Sequence, residues 1–179
     1  EHQKEYGALH LLWQGIGEYV RRDTRYHLLF GAASISNDYS AASQALLVEY
    51  LRQRHADRRR MRLAPARHAV DGPLPHLRPL LADLKACRDL DELSAFVADL
   101  EPDGKGIPVL IRQYLRLGGK FLGFNRDPCF ANSIDCLVLI DLKDTAPQLL
   151  RRYVGAAGVE AIHAVGAAHD ANSARRRSA

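Results

Sequence analysis

The clearest structural signals lie in the segment DGKGIPVLIRQYLRLGGKFLGFNRDPCFANSIDCLVLIDL, residues 103–142. Pro108 occupies a first-turn position, and residues 109–118 place apolar side chains on one face of a helix. Gly118 and Gly119 are typical of a helix end. The first half of the segment therefore predicts an amphipathic helix that stops at a glycine pair.

The second half of the same segment predicts two strands joined by a turn. Residues 120–124 form a short strand pattern, 125–133 contain turn-forming residues, and 134–142 (IDCLVLIDL) form a strongly apolar strand. Upstream, a helix pattern at 6–20 precedes an apolar run at 26–36 that is typical of a buried strand. This order of helices and strands predicts an α/β fold.

The remaining elements complete one predicted domain over 1–165. A helix is expected at 39–55, with Asn37 or Asp38 as its cap. Further helices are expected at 77–84, 90–100 and 149–165. An arginine- and proline-rich stretch separates the second helix from the later ones and predicts an irregular connection. The composition of residues 166–179 predicts a disordered tail.

Composition argues against several classes of function. The net charge of +4 in 179 residues is too small to indicate nucleic-acid binding by itself. No run reaches the roughly 20 apolar residues that a membrane span needs. The three cysteines and eight histidines form no metal-type, disulfide or triad pattern, and no G-x-S-x-G motif occurs. These features predict a cytoplasmic protein with reduced thiols and no metal.

The opening of the chain is a candidate phosphate-binding loop. Gln3, Gly7 and Ala8 lead into the first helix, where unpaired backbone N–H groups and the helix dipole favour a pyrophosphate. An ordinary helix start with a flexible glycine explains the same residues. The spacing alone leaves both interpretations open.

A second candidate site follows the first predicted strand. In an α/β sheet, polar groups at the carboxyl end of a strand often lie in the active site. At this position we predict that Tyr39 protonates a leaving thiolate and that Asn37 positions a substrate by hydrogen bonding. The alternative is that Asn37 or Asp38 caps the next helix while Tyr39 packs.

A third set of polar residues lies near the glycine corners of 103–142. We predict substrate contacts for Arg112, Asn125 and Asp127, and the pair Asp127 and Asp135 flanks a turn where it can hold a cationic amine. The alternative is a hairpin with ordinary turn-forming residues. Seven arginines between Arg52 and His68 form a separate basic run, suited either to an anionic surface or to simple solvation.

Four segments together resemble a known family. They are QKEYGALHLLWQGIGEYV, LFGAASISNDYS, DGKGIPVLIRQYLRLGGKFLGFNRDPCF and SIDCLVLIDL. They resemble bacterial GNAT-like N-acyltransferases of the hemolysin-like type, which are relatives of the ornithine-lipid acyltransferases. The similarity extends from Gln3 to Ile162 with an interruption at the arginine-rich middle, and residues 103–142 are its most specific part.

The resemblance implies a GNAT-like mixed sheet flanked by helices, from which the N-terminal strands are missing. It implies an enzyme that transfers a fatty acyl group from an acyl carrier protein or acyl-CoA thioester to an amine, such as the α-amino group of ornithine, in membrane-lipid synthesis. No tightly bound cofactor is expected. On this model Gln3, Gly7 and Ala8 belong to the pyrophosphate loop, although one extra residue separates Gln3 from Gly7, and Asn37 and Tyr39 fall at substrate-positioning and general-acid positions.

The implied partners are the acyl donor, the amine acceptor and, in some relatives, an upstream lysophospholipid acyltransferase domain. The implied location is cytoplasmic, with peripheral contact with the inner membrane. The alternative hypothesis is a non-catalytic fragment that binds an acidic carrier protein or an anionic membrane surface through its arginines.

Overall fold

The computed structural model describes residues 6–72 and 75–177, and these residues have an α/β architecture. The helices are α1 (Tyr6–Arg22), α2 (Ala41–Arg54), α3 (Arg78–Ala86), α4 (Leu90–Leu100), α5 (Val109–Arg116) and α6 (Pro147–Arg177). The strands are β1 (Leu28–Ile35), β2 (Lys120–Asp127) and β3 (Ser133–Asp141). Every helix and strand predicted from the sequence is confirmed, with shifted ends. No helix in the described part of the chain has the length and apolar character to cross a membrane.

The three strands form one antiparallel sheet in the order β1-β3-β2. β2 and β3 pair antiparallel, with Asn125 opposite Asp135. β1 runs antiparallel to β3, because Ser34 contacts Asp135 while His27, earlier in the chain, contacts the later Asp141. The sheet predicted as mixed is therefore antiparallel in its named strands.

The arginine-rich connection lies along the outer edge of β2. Phe121 N–H donates to the carbonyl of His55, and Asp57 N–H donates to the carbonyl of Phe121, forming a short parallel bridge. Further along, Arg126 N–H donates to the carbonyl of His68 at 2.9 Å. These hydrogen bonds pair some of the backbone N–H and C=O groups that the edge of β2 would otherwise expose. The stretch predicted as an irregular connection is thus anchored at both ends.

Three local predictions are corrected. β2 continues to Asp127, so Asn125 lies in a strand instead of a turn, because pairing with β3 extends to the end of the hairpin. Ser40 caps α2 by accepting a hydrogen bond from the Ser43 N–H, a role predicted for Asn37 or Asp38. Pro108 is the residue before α5 and not its first turn.

The chain separates into two compact units. The first comprises Glu1–Leu29 with Ile140–Ala179, and the second comprises Phe30–Leu139. In the first unit α1 packs on α6, where Gly17 lies so close that a Cβ would stand 2.2 Å from the Tyr153 carbonyl oxygen. α6 consists of two helical segments that meet at Gly155, whose φ of 71° favours glycine. The disordered tail over 166–179 stays a prediction.

The second unit has a core between α2, α4, α5 and one face of the sheet. Alternate residues of β3 are buried, while Asp135 and its same-face neighbours are half-exposed. Phe121 and Phe124 of β2 stack with ring centroids 5.9 Å apart. The fully buried core side chains here include Ile35, Leu46, Leu47, Leu51, Leu93, Ile111, Leu117, Phe121 and Ile134. The opposite, less buried face carries the polar Ser34 and Asp135 and also the apolar Phe30 and Leu137.

Candidate functional site

Tyr39 lies in a polar cluster just after β1. Its hydroxyl donates a hydrogen bond to the Gly106 carbonyl at 2.7 Å, and Lys105 Nζ lies 4.9 Å from the centroid of its ring. Burial, together with the carboxylates of Glu101 and Asp103, raises the pKa of Tyr39 to about 12. We call these five residues the Tyr39 cluster. Because the tyrosine proton is already donated within the chain, a role as general acid requires this bond to open.

Glu101 fixes the turn that presents Tyr39. Its side chain is 0% exposed, accepts a hydrogen bond from the Ser40 N–H at 3.0 Å and lies 3.6 Å from Lys105 Nζ. Burial opposes ionisation, but the interactions with Ser43, Ser40 and Lys105 outweigh it and lower the pKa of Glu101. A charged Glu101 therefore ties the start of α2 to the loop after α4.

The residues after β1 share one end of the sheet with the β2–β3 turn. Gln44 of α2 donates to the Ser36 carbonyl at 3.0 Å, and its amide oxygen accepts from Arg126 Nη2 at 3.4 Å. Asn37, next to Ser36, is exposed at this corner. The structure thus brings Asn37 and Tyr39 to the same end as the hairpin turn. Their chemical roles stay predictions.

Asp127 and Asn125 both have partners within the fold. Asp127 Oδ1 accepts from the Cys129 N–H at 2.8 Å, a typical turn interaction. Asn125 Oδ1 accepts from the His68 N–H at 2.8 Å, and its Nδ2 donates to the Arg126 carbonyl at 3.3 Å. These bonds give both residues a structural task. Contact with a substrate stays a prediction for each.

Arg112 joins α5 to the start of α4. Its Nη2 donates to the Leu90 carbonyl at 3.2 Å and to Asp91 Oδ1 at 2.7 Å. The Tyr39 cluster contacts α4 at Ser94, about one helical turn from Leu90. Contact of Arg112 with a substrate stays a prediction.

The predicted pyrophosphate loop lies only partly within the described residues. Gln3 lies outside them, and for Ala8 only the backbone is described. Gly7 lies in the first turn of α1 and is exposed, with nothing within 4 Å of the position where a Cβ would be. The loop stays a prediction.

A cavity of about 250 Å³ opens on the less buried face of the sheet. Small residues form much of its wall, namely Ala32, Ala64, Ala66 and Gly123. Arg67, Asn125 and Asp135 also line it. Ser34 Oγ donates to Asp135 Oδ1 at 2.6 Å across the β1–β3 pair. We call this space the sheet cavity.

The sequence signals only part of the sheet cavity. Asp135 is expected from the sequence to hold an amine, and the structure places it on the cavity wall. Ser34 and Arg67 are not predicted as site residues. Strand alternation would place Ser34 on one face of β1, but its pairing with Asp135 depends on the register of strands that lie 101 residues apart.

A larger cleft of about 580 Å³ lies between the end of α2 and the start of α4. Its charges are largely compensated, because Arg88 pairs with Glu92 and Asp89 caps α4. Burial, Lys120 and Arg54 lower the pKa of His55 in this cleft to about 4, so the ring is neutral at pH 7. This cleft therefore offers no concentrated charge for ligand recognition.

The thiols and potential metal ligands give no further site. Burial raises the pKa of the Cys136 thiol, which disfavours a nucleophilic thiolate. Within residues 6–72 and 75–177, no group of three or more histidine, cysteine, aspartate or glutamate side chains is placed to hold a metal ion. No protein-family model, no curated protein and no solved structure matches the chain.

Proposed function

We propose that the chain is part of a GNAT-like N-acyltransferase that moves a fatty acyl group from a carrier-protein or coenzyme A thioester to an amine. The observation that carries this proposal is the origin of the sheet cavity. Ala32 comes from LFGAASISNDYS, Gly123 and Asn125 come from the block that starts at Asp103, and Asp135 comes from SIDCLVLIDL. Three of the four segments that carry the resemblance therefore meet at one cavity.

The proposed reaction is direct transfer without a covalent intermediate. A neutral amine nitrogen attacks the thioester carbonyl carbon, the C–S bond breaks, and the proton lost by the amine ends on the thiolate sulfur. Bringing the two substrates together supplies much of the rate. Asn37 is exposed and able to position a substrate, while Tyr39 delivers a proton only after its bond to Gly106 opens.

The proposed fold extends beyond the three strands seen here. β1 lies at an edge of the sheet formed by the described residues, and Phe30 on it is 80% exposed. An edge strand presents backbone N–H and C=O groups that a further strand can pair with. In a GNAT-like sheet a further strand would pair with β1 beside Phe30.

An acyl-transfer assay tests the function. The protein is incubated with acylated carrier protein or acyl-CoA and with ornithine, and the N-acyl product is measured by mass spectrometry. The proposal predicts product formation with at least one donor, with release of one thiol per amide formed. Absence of product with both donors, across several acyl lengths and amines, would overturn it.

A second candidate function is binding to an anionic membrane surface. Arg58, Arg59, Arg62 and Arg67 are exposed, and Leu63 among them is 82% exposed. Basic residues near a charged bilayer contribute about 1 kcal/mol each, and an exposed leucine adds apolar contact with the lipid. This arrangement favours a lipid surface, because a purely solvated loop does not require the leucine.

Vesicle co-sedimentation tests the second candidate. Binding to vesicles of phosphatidylglycerol and phosphatidylcholine is compared with binding to phosphatidylcholine alone. Replacement of Arg58, Arg59 and Arg62 by Gln is expected to weaken binding about a hundredfold. Replacement of Arg78, Arg151 and Arg152 by Gln changes the charge equally and serves as the control. Equal losses in both variants, or binding that ignores salt, would refute a specific basic surface.

A further inference from the structure

We infer that Asp135, oriented by Ser34, binds a cationic amine inside the sheet cavity. The existence of this binding site follows from the geometry of the cavity. Its assignment to the acyl acceptor rests on the proposed function. The site therefore can be tested by binding alone, without any acyl transfer.

The Ser34–Asp135 pair is arranged to receive a cation. The Ser34 hydroxyl donates to Asp135 Oδ1 at 2.6 Å and thereby fixes the orientation of the carboxylate. Among the residues that the structure describes, no side chain or backbone group is hydrogen-bonded to Asp135 Oδ2, and no lysine or arginine lies within ion-pair distance of it. Asp135 is half-exposed, so its second carboxylate oxygen is accessible to a hydrogen-bond donor of a ligand.

The cavity has the size and walls that suit an alkylammonium group. Its volume of about 250 Å³ is enclosed in part by Ala32, Ala64, Ala66 and Gly123, whose small side chains leave room beside the carboxylate. Apolar walls contact the alkyl chain of such a ligand, and the carboxylate accepts hydrogen bonds from its ammonium group.

A second charge in the cavity narrows the ligand class. Arg67 lines the same space, is exposed, and in the described part of the chain forms no ion pair with Asp135. One guanidinium and one carboxylate that do not neutralise each other match a ligand with both an ammonium and a carboxylate group. An amino acid therefore fits better than a simple amine.

The pairing also assigns a role to the bound amine. A nearby carboxylate favours the protonated form of an amine and raises its pKa, and a protonated amine is not a nucleophile. The ammonium held by Asp135 is therefore a recognition group. In an acyl transfer, another amine of the same molecule would attack the thioester.

Equilibrium binding of ornithine to the full chain, measured by calorimetry, tests the site. Asp135→Asn is expected to weaken binding about tenfold or more, and Ser34→Ala by a smaller factor. Valerate, which keeps the carboxylate but has no amine, is expected to bind the wild type as weakly as ornithine binds Asp135→Asn. Asp99→Asn removes an exposed carboxylate from α4 and is the matched control, with binding within twofold of wild type.

A steric variant covers the case in which Asp135→Asn does not fold. Ala32→Ile places a β-branched side chain, favourable in a strand, into the cavity wall without touching any charge. It is expected to weaken ornithine binding while circular dichroism stays unchanged. Unchanged binding in both Asp135→Asn and Ala32→Ile would overturn the inference.

The outcomes separate the site from the proposed function. If ornithine binding depends on Asp135 but no acyl group is transferred from either donor to any amine, the site is supported and the acyltransferase is refuted. Acyl transfer with an unchanged KM for ornithine in Asp135→Asn would support the acyltransferase and refute the site. A loss of ornithine binding in Asp99→Asn equal to that in Asp135→Asn would also refute the site.

Discussion

Two carboxylates in the second unit have opposite surroundings. Glu101 is fully buried; its Oε1 accepts from the Ser40 N–H, and its Oε2, which has no hydrogen bond among the described residues, lies 3.6 Å from Lys105 Nζ. Asp135 is half-exposed, receives one hydrogen bond from Ser34 and lines a cavity. A buried carboxylate whose charge is balanced by a cation of the same chain stabilises the fold, whereas a half-exposed carboxylate on a cavity wall without such a cation is available to a ligand. The neighbouring cation, more than the residue type, distinguishes the two carboxylates.

The largest expected effect on stability comes from removing Glu101. Glu101→Ala leaves the Ser40 N–H without its acceptor and removes a partner from Lys105. We expect the free energy of unfolding to fall by about 2–3 kcal/mol, measured by urea denaturation. A fall of less than about 0.5 kcal/mol would show that the Tyr39 cluster does not support the fold, and the contrast with Asp135 would disappear.

Acid titration sharpens the same contrast. Because hydrogen bonding and Lys105 lower the pKa of Glu101 in the folded state, its charge stabilises the protein above the ordinary pKa of 4.5, and this contribution is lost as the pH falls through the lowered value. Glu101→Gln keeps the size of the side chain and removes the charge. The difference in unfolding free energy between wild type and Glu101→Gln is expected to shrink between pH 5 and pH 3. A constant difference would contradict the assigned cause.

Tyr39→Phe is expected to have a smaller effect on stability. The variant loses the hydrogen bond to the Gly106 carbonyl but keeps the ring beneath Lys105, so we expect a loss of about 1 kcal/mol in thermal or urea unfolding. The effect on acyl transfer separates the two possible roles of the tyrosine. If Tyr39 is a general acid, its replacement lowers kcat about a hundredfold. If the tyrosine is purely structural, kcat stays within a few-fold of wild type.

The sequence predicts what is local and misses what depends on register. Apolar periodicity places α4 at 90–100, where the structure has Leu90–Leu100, because that pattern is set by neighbours three and four residues away. The partner of the Tyr39 hydroxyl lies 67 residues away at Gly106 and leaves no local signal. For the same reason Asp135 is recognisable as a polar residue in an apolar strand, but its pairing with Ser34 is not.

Asn125 shows a further limit of local interpretation. Its sequence context, Asn-Arg-Asp-Pro, is typical of a turn, and the prediction places it in one. The structure places it in β2, opposite Asp135, because antiparallel pairing with β3 continues to Asp127 and Ser133. Cross-strand hydrogen bonds outweigh the turn preference of the residue, and they bring Asn125 to the wall of the sheet cavity.

The smallest expected effect on stability belongs to Asp135→Asn. The amide still accepts the Ser34 hydroxyl, while the half-buried charge without a cation is removed, so the gain and the loss nearly cancel. We expect the free energy of unfolding to change by no more than about 0.5 kcal/mol in urea, compared with the much larger loss for Glu101→Ala. If Asp135→Asn instead destabilises the protein as strongly as Glu101→Ala, the Ser34–Asp135 pair is a structural contact, and a carboxylate on a cavity wall would not by itself indicate a ligand.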